Sequence, residues 1–430
     1  MSNPFETPSP NPFETPGETT PAEVTPAPDV RKPNPNFTGK KNDFSELMVK
    51  MQTIYKEKIL PVEQKHKYDQ FYSPHWSDAD FEAKPMVLLL GQYSVGKTSF
   101  IRHMIGKDFP GLNIGPEPTT DRVIAIHYGD VERTTPGNVL SVSPKLPYRG
   151  LERFGTGFLS RFEGSEVRAK ILEDITFVDT PGILAGEKQR VNRQYDFNEV
   201  IGWFAQRADR ILLFFDANKL DVSDEFKEVL VSLTDHGNKL RVVLNKADQL
   251  SNQQFIKVHG ALMWSLSRVI RSPEAVRVYP GSFWDTPMRA SCDMQGLLES
   301  EMADFYKDLT EIPRYATQRK VDELLKRIKR VKVHSCLIAH LKKEMPKMWG
   351  SQERQKELIK NIREEMNKVR LEHNLPVADF PLPDELVQKL EGRDFNTFEK
   401  WSDRKMKDLE TAMSKDIPDV LQKYSAELQL

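Results

Sequence analysis

The stretch Gly91-Gln92-Tyr93-Ser94-Val95-Gly96-Lys97-Thr98 constrains this chain more than any other. It has the spacing G-x-x-x-x-G-K-[ST], with the apolar run Met86–Leu90 before it and a helix-forming run, Phe100–Ile105, after it. A strand, loop and helix in that order make a phosphate cradle. The glycines let backbone N–H groups close around the β-phosphate, Lys97 reaches the β and γ oxygens, and the Thr98 hydroxyl can ligate Mg²⁺. The residues expected to touch a nucleoside triphosphate here are Gly91, Gln92, Tyr93, Ser94, Val95, Gly96, Lys97, Thr98 and Ser99.

Three further segments follow in the order a GTPase-type P-loop domain needs. Ile175-Thr176-Phe177-Val178-Asp179-Thr180-Pro181-Gly182 puts Asp179 at the end of an apolar run, where it can bind Mg²⁺, and leaves the Gly182 N–H to sense a γ-phosphate. Upstream, Gly115–Asp121 carries Thr119 and Thr120 at switch I distance, one of which should close over the metal and γ-phosphate. Downstream, Leu240–Leu244 runs into Asn245-Lys246-Ala247-Asp248, an N-K-x-D pattern in which the aspartate reads a base edge and the lysine packs along the ring. Taken alone that tetrapeptide is weak; after Asp-Thr-Pro-Gly it is strong. Behind Gly182 the sequence reads Ile183-Leu184-Ala185-Gly186, with no Gln or His to orient water, so hydrolysis is expected to be slow without a second subunit.

Apolar runs at Pro85–Leu90, Val123–His127, Ile175–Val178, Arg210–Phe215, Leu240–Leu244 and Ala275–Tyr279 alternate with helical patterns. That is the mark of an α/β fold with a largely parallel sheet. From Asp43 to Leu60 the apolar positions follow helical spacing, with Asp43 as cap and Pro61 ending the pattern. After about Glu311 strands disappear, and 314–372 and 384–428 read as charged helices with which the N-terminal helix is expected to pack. The organisation expected is a tail over 1–41, helical segments over 42–80 and 311–430, and a nucleotide domain over 81–310.

The charge balance of −1 gives no reason to expect a nucleic-acid partner, and Cys292 and Cys336 stand alone, which suits a reducing cytoplasmic compartment. No run is long enough to span a bilayer, so membrane contact should be peripheral. His66, His75, His103, His334 and His340 form no metal pattern and are expected to be hydrogen-bonded core or surface histidines. The tail holds ten prolines and almost no aliphatic residues, so it is expected to be disordered. Within it Asn3-Pro4-Phe5-Glu6-Thr7-Pro8 recurs unchanged at Asn11-Pro12-Phe13-Glu14-Thr15-Pro16. An Asn-Pro turn would project each Phe, so the repeats are expected to be ligands for EH-domain proteins, with disordered filler as the alternative. Residues 314–347 carry eleven Lys or Arg against three acids, and Met348-Trp349-Gly350 follows. A basic run beside an exposed aromatic suits an anionic phospholipid surface, although a solvated helix face would look the same.

GQYSVGKTSFIRHMI, GPEPTTD, DTPGILAGEKQR, RVVLNKAD, GALMWSL and HLKKEMP together resemble the EH-domain-containing (EHD) ATPases of the dynamin superfamily, over roughly 42–425. The resemblance implies a dynamin-type G domain flanked by a composite helical domain. It also implies Mg²⁺-dependent ATP hydrolysis, G-domain dimers, and oligomers that remodel endosomal or plasma membranes. By match, Thr120 is the catalytic switch threonine beside Lys97, and Thr98, Thr120 and Asp179 serve the metal. Trp264 matches a dimer-interface tryptophan, Trp284 a residue near the base, and Lys347, Trp349, Arg354 and Lys356 a lipid-inserting tip.

Three tensions accompany the likeness. Asn245–Asp248 by itself predicts guanine, whereas the family takes adenine, a choice favoured here by Gly281-Ser282-Phe283 in place of an S-A-K loop; Gln249, however, stands where a methionine is expected. Family members also usually end in an EH domain, yet no D-x-[DN]-x-[DN]-G segment occurs before Leu430. Either the form is truncated or the chain carries EH ligands instead of the domain. Lys145-Leu146-Pro147-Tyr148 departs from a Lys-Pro-Phe loop, which puts its proposed docking in question. Beside the membrane-remodelling ATPase stand two alternatives: a nucleotide-regulated adaptor, and a GTP-specific enzyme.

Overall fold

The computed structural model describes residues 44–112, 122–183, 195–220, 222–270, 276–284, 288, 292–346 and 349–428. The doubled Asn-Pro-Phe, the proposed Asp43 cap, Thr119, Thr120 and Lys347 lie outside them. At the centre is an eight-stranded sheet in the order β3-β4-β2-β5-β1-β6-β7-β8. The strands are β1 Met86–Gly91, β2 Val123–Tyr128, β3 Arg133–Pro136, β4 Phe162–Val167, β5 Thr176–Asp179, β6 Arg210–Asp216, β7 Leu240–Asn245 and β8 Val278–Pro280. Pairings from β5 through β1, β6 and β7 to β8 are parallel, as is β2 with β4; β2 with β5 and β3 with β4 are antiparallel. Every residue of β1 is buried, as a strand covered on both faces requires.

Two strands, β3 and β4, were not expected from the sequence. Phe162-Glu163-Gly164-Ser165-Glu166-Val167 has no continuous apolar run; Glu163 and Glu166 are its only residues that are not buried, and they meet Arg122 at 3.0 Å and Arg133 at 2.9 Å. β3 is an edge strand, and its last residue, Pro136, donates nothing to a ladder.

A second apolar cluster lies outside the sheet domain. Leu47, Met51, Tyr55 and Ile59 pack with Val321, Leu324, Ile328, Leu337, Leu409 and Ile417, so the first helical segment closes on helices more than 260 positions away. Glu63 and Arg327 pin the two parts. The fork of Arg327 meets both Glu63 oxygens at 2.6 and 2.9 Å, while Tyr55 Oη donates to the same carboxylate at 2.8 Å. With both carboxylate oxygens hydrogen-bonded, a charge pair can be buried this deeply.

Pro61 does not end the first helix. Phe44–Ile54 runs into a π-turn, Tyr55–Ile59, and on through Leu60–Lys65. The Leu60 N–H reaches back five residues to Tyr55 O, and this widened turn makes room for the proline ring that a regular helix would clash with. The device recurs at Ala412–Asp416, just before Ile417-Pro418.

The 32-residue helix Ile312–Lys343 is about 48 Å long and joins the two cores. At its sheet end, Arg319 donates to Asp209, whose other oxygen accepts the Met86 N–H at 2.6 Å. Lys320 caps the carbonyls of Phe81 and Ala83.

The histidines differ from expectation at one position. His75, His103, His334 and His340 each have a ring hydrogen bond, but both ring nitrogens of buried His66 have no side-chain partner. Burial pushes its pKa down to about 4, so the ring is held neutral instead of being satisfied.

Candidate nucleotide-binding site

β1 ends at Gly91, whose φ of +156° brings the chain against Phe214 O on β6; a Cβ there would sit 2.5 Å from that oxygen. The loop then turns through Ser94, at φ +62°, and Gly96, at φ +94°, into the helix Lys97–Ile105. Lys97 Nζ donates to Gly91 O and Gln92 O, each at 3.1 Å, which holds the ammonium over the loop. Ser99 lies in the first turn of the same helix.

β5 delivers Asp179 beside the loop. The Thr98 hydroxyl donates to Asp179 Oδ2 at 2.6 Å, while Oδ1 is fully buried without a partner. Burial raises the Asp179 pKa, against the pull of nearby Lys97. A hydroxyl and an orphaned carboxylate oxygen side by side fit a hard cation such as Mg²⁺, which would relieve that burial cost. Thr180 Oγ1 ties to Leu89 O at 2.6 Å, and a Cβ on Gly182 would come within 2.7 Å of Tyr93 Cα. Only glycine permits this approach, which sets the Asp-Thr-Pro-Gly turn directly against the P-loop.

The base end rests on Asn245. Its Nδ2 donates to Val95 O and its Oδ1 accepts the Phe283 N–H, both at 3.0 Å, so one side chain joins the P-loop to the loop after β8. Lys246, at φ +62°, donates to Ser94 O at 2.8 Å and Asp216 Oδ2 at 2.6 Å. Asp248 is buried, and neither carboxylate oxygen has a partner. Trp284 follows Phe283 and is half exposed. Gln249 Oε1 accepts from Asn218 at 2.8 Å.

Sequence reading missed Asp216 and Asn218. A signal for Asp216 existed: like Asp179 it ends an apolar strand, Arg210–Asp216. Asn218 carried none, since its part depends on a loop closing over Gln249.

Two residues assigned by resemblance stand on open surfaces. Trp264, on the helix Asn252–Val269, is 68 % exposed. Trp349, beyond the far end of the long helix, is 87 % exposed. Lys356 is exposed on the helix Ser351–Lys360, whereas Arg354 is engaged, bonding Glu344 at 2.9 Å and Glu357 at 2.8 Å. Much of the basic run over 314–347 is likewise spent inside the molecule, on Asp209, Glu63, Glu410 and the Phe81 carbonyl. Tyr148 is buried against Phe162, which fixes the Lys145–Tyr148 segment to the sheet domain. No described helix is long and apolar enough to cross a membrane.

Comparison with known proteins agrees with this geometry. Residues 87–247 match the Dynamin family, residues 50–82 the N-terminal EH-domain containing protein family, and residues 315–421 a domain of unknown function. EH domain-containing protein 3 of Rattus norvegicus is 46 % identical over 393 residues, covering 91 % of this chain and 72 % of that protein. EH domain-containing protein 1 of Homo sapiens is 47 % identical over 374 residues, covering 87 % and 70 %. Among solved structures, one of an oligomerised bacterial dynamin pair aligns with a TM-score of 0.41 at 17 % identity, over 77 % of this chain and 51 % of that one. The sheet domain is thus a dynamin-type nucleoside triphosphatase domain. Near half-identity across about nine-tenths of its length settles the family: the chain belongs to the EH domain-containing proteins.

Proposed function

We propose that this chain is a slow, Mg²⁺-dependent ATPase that pairs through its G domain across Trp264, assembles on anionic phospholipid and bends it during endocytic or endosomal trafficking. The observation that carries the reading is the pairing of the P-loop with the Thr98–Asp179 contact in the sheet domain, together with Trp349 in open solvent beyond the far end of the helix that joins the two cores. Lys97 would move from the loop carbonyls to the phosphates, Thr98 and Asp179 would hold the metal, and Thr120 would close the site. Mg²⁺ would neutralise charge on the transferred phosphoryl group. The Trp349 indole suits the headgroup region, and Lys347 and Lys356 would each add about 1 kcal/mol near an anionic leaflet. Arg354 contributes by fixing the tip.

The test is ATP and GTP turnover with and without anionic liposomes. Stimulation of ATP turnover several-fold, with tubules and sedimentation that Trp349→Ala weakens, is expected. Unchanged turnover and no assembly would end the remodelling reading.

Two other readings have specific support. Asp248 offers two unpartnered oxygens, which suit the adjacent N1–H and N2–H donors of guanine, so tighter GTP than ATP binding would favour the GTP-specific enzyme. The doubled Asn-Pro-Phe supports an adaptor that recruits EH-domain proteins. An isolated EH domain should then be captured by the whole chain and lost when Phe5 and Phe13 are both replaced by Ala. Undiminished capture would exclude the repeats as the ligand.

A further inference from the structure

Adenine and guanine present different edges. Guanine offers two neighbouring donors, N1–H and N2–H, with O6 as acceptor. Adenine offers one donor, the N6 amine, with the N1 lone pair as acceptor. A carboxylate is acceptor-only, so Asp248 can serve the N6 amine but not N1. A site that takes adenine therefore needs a donor beside Asp248.

Ser282 supplies the right chemistry in the right place. Its side chain is 1 % exposed, and its hydroxyl has no hydrogen-bond partner. The residues on either side of it are clamped to the end of β7. Gly281 O accepts the Ala247 N–H and the Gly281 N–H reaches Leu244 O, both at 3.0 Å, and the Phe283 N–H bonds Asn245 Oδ1. Ser282 is thus held against the Leu244–Ala247 segment, one residue short of Asp248. The Phe283 ring is itself locked among Phe100, Phe305 and Tyr306. Two adjacent loops end in three buried oxygens with nothing to bond: Asp248 Oδ1, Asp248 Oδ2 and Ser282 Oγ. Leaving such groups unanswered is costly, and a ligand edge answers them.

We propose that the Ser282 hydroxyl is a purine-reading group, donating to N1 of adenine beside an Asp248 carboxylate that accepts from the N6 amine. The proposal rests on the ATP reading above. Without the hydroxyl, adenine keeps a single edge contact with the protein, whereas guanine keeps both of its contacts to Asp248. Ser282 therefore sets the ratio of the two affinities rather than their sum. Asp248 alone would leave the site a guanine reader.

The experiment is calorimetric titration of the whole chain and of Ser282→Ala with slowly hydrolysed analogues of ATP, GTP and purine riboside triphosphate, all with Mg²⁺. Purine riboside keeps N1 but lacks the N6 amine. Ser282→Ala removes one unpartnered oxygen, and an unchanged melting temperature checks the fold. Losses of about tenfold for both ATP and purine riboside triphosphate, with less than about threefold for GTP, are expected. Equal losses for ATP and GTP would assign Ser282 to loop shape, and no loss for any would remove it from the site; either overturns the proposal. A wild-type chain that binds GTP more tightly than ATP would overturn the ATP reading, while the change in ratio on substitution still decides the role of Ser282.

Discussion

Gly96 shows how a single position ties the P-loop to the loop after β8. At φ +94° it occupies backbone space that residues with a Cβ rarely enter, and an added Cβ would overlap the Asn245 amide. That amide holds Val95 O on one side and the Phe283 N–H on the other, so displacing it disturbs phosphate loop and base loop at once. Gly96→Ala is therefore expected to weaken ATP binding by at least about tenfold while the buried β1 keeps the domain folded. Titration beside a melting curve checks both halves; unimpaired binding would show that the loop can yield. The P-loop, Asp179 and Asp248 were legible because their chemistry imposes spacing on neighbours in sequence. Ser282 was legible only as a member of the Gly281–Phe283 loop and Asp216 only as an acid ending an apolar run, because the neighbours of each are brought alongside by strand pairing. Asn245 was legible only by half: its pattern named a base-side residue, but its bonds reveal a clamp.

At the scale of elements, what was legible depended on where burial comes from. β1, β6 and β7 are buried on both faces and read as continuous apolar runs. β4 owes its place to ladders with β2 and β3 on either side, and its acids meet Arg122 and Arg133, 41 and 33 residues away, so no local window contains its partners. The first helix was misread at Pro61 for a related reason. Proline normally closes a helical pattern, but the π-turn before it absorbs the ring, and its i→i+5 bonding has no strong local signature. Lys58 in that turn pairs with Asp416 at 2.5 Å in the second π-turn, so the two irregular turns brace each other. Net charge over 314–347 likewise mixes residues of different roles. Arg319 and Arg327 sit on one helix yet serve opposite ends of the joint, one at Asp209 and the other at Glu63. A count of charges cannot separate a lipid-facing lysine from an arginine that ties the domains together. Exposure narrows the choice: Arg319, Lys320 and Arg327 are not exposed, whereas Arg314, Lys326, Lys329, Arg330, Lys343, Trp349 and Lys356 are.

The whole molecule depends on joining segments far apart in sequence, and two histidines make that junction sensitive to acid. His334 on the long helix bonds His66 O at 2.9 Å, and its ring meets Tyr68, Phe71 and Tyr72. Burial depresses the pKa of His66 to about 4 and that of His334 to about 3. Glu399 pulls the His66 value up, Lys405 and Lys65 push it down, and Arg393 and Lys389 add to the depression at His334. Both rings are neutral when folded, whereas in the unfolded chain each takes up a proton below about pH 6.5. The unfolded state then binds more protons, so stability falls as pH drops from about 6.5 toward these folded values, by up to about 1.4 kcal/mol per unit for each histidine. Glu63 acts in the same direction at lower pH: burial raises its pKa, but its bonds to His75 and Arg327 outweigh this and hold it below the usual carboxylate range. Asp179 opposes both, since burial raises its value. The histidine share is isolated by comparing melting temperatures of the whole chain and of His66→Leu from pH 7.5 to 5.0. The slope should be visibly shallower in the variant, because a neutral apolar side chain has no proton to gain. Parallel slopes would mean that His66 titrates alike in both states, and the acid sensitivity would then rest on other groups of the joint.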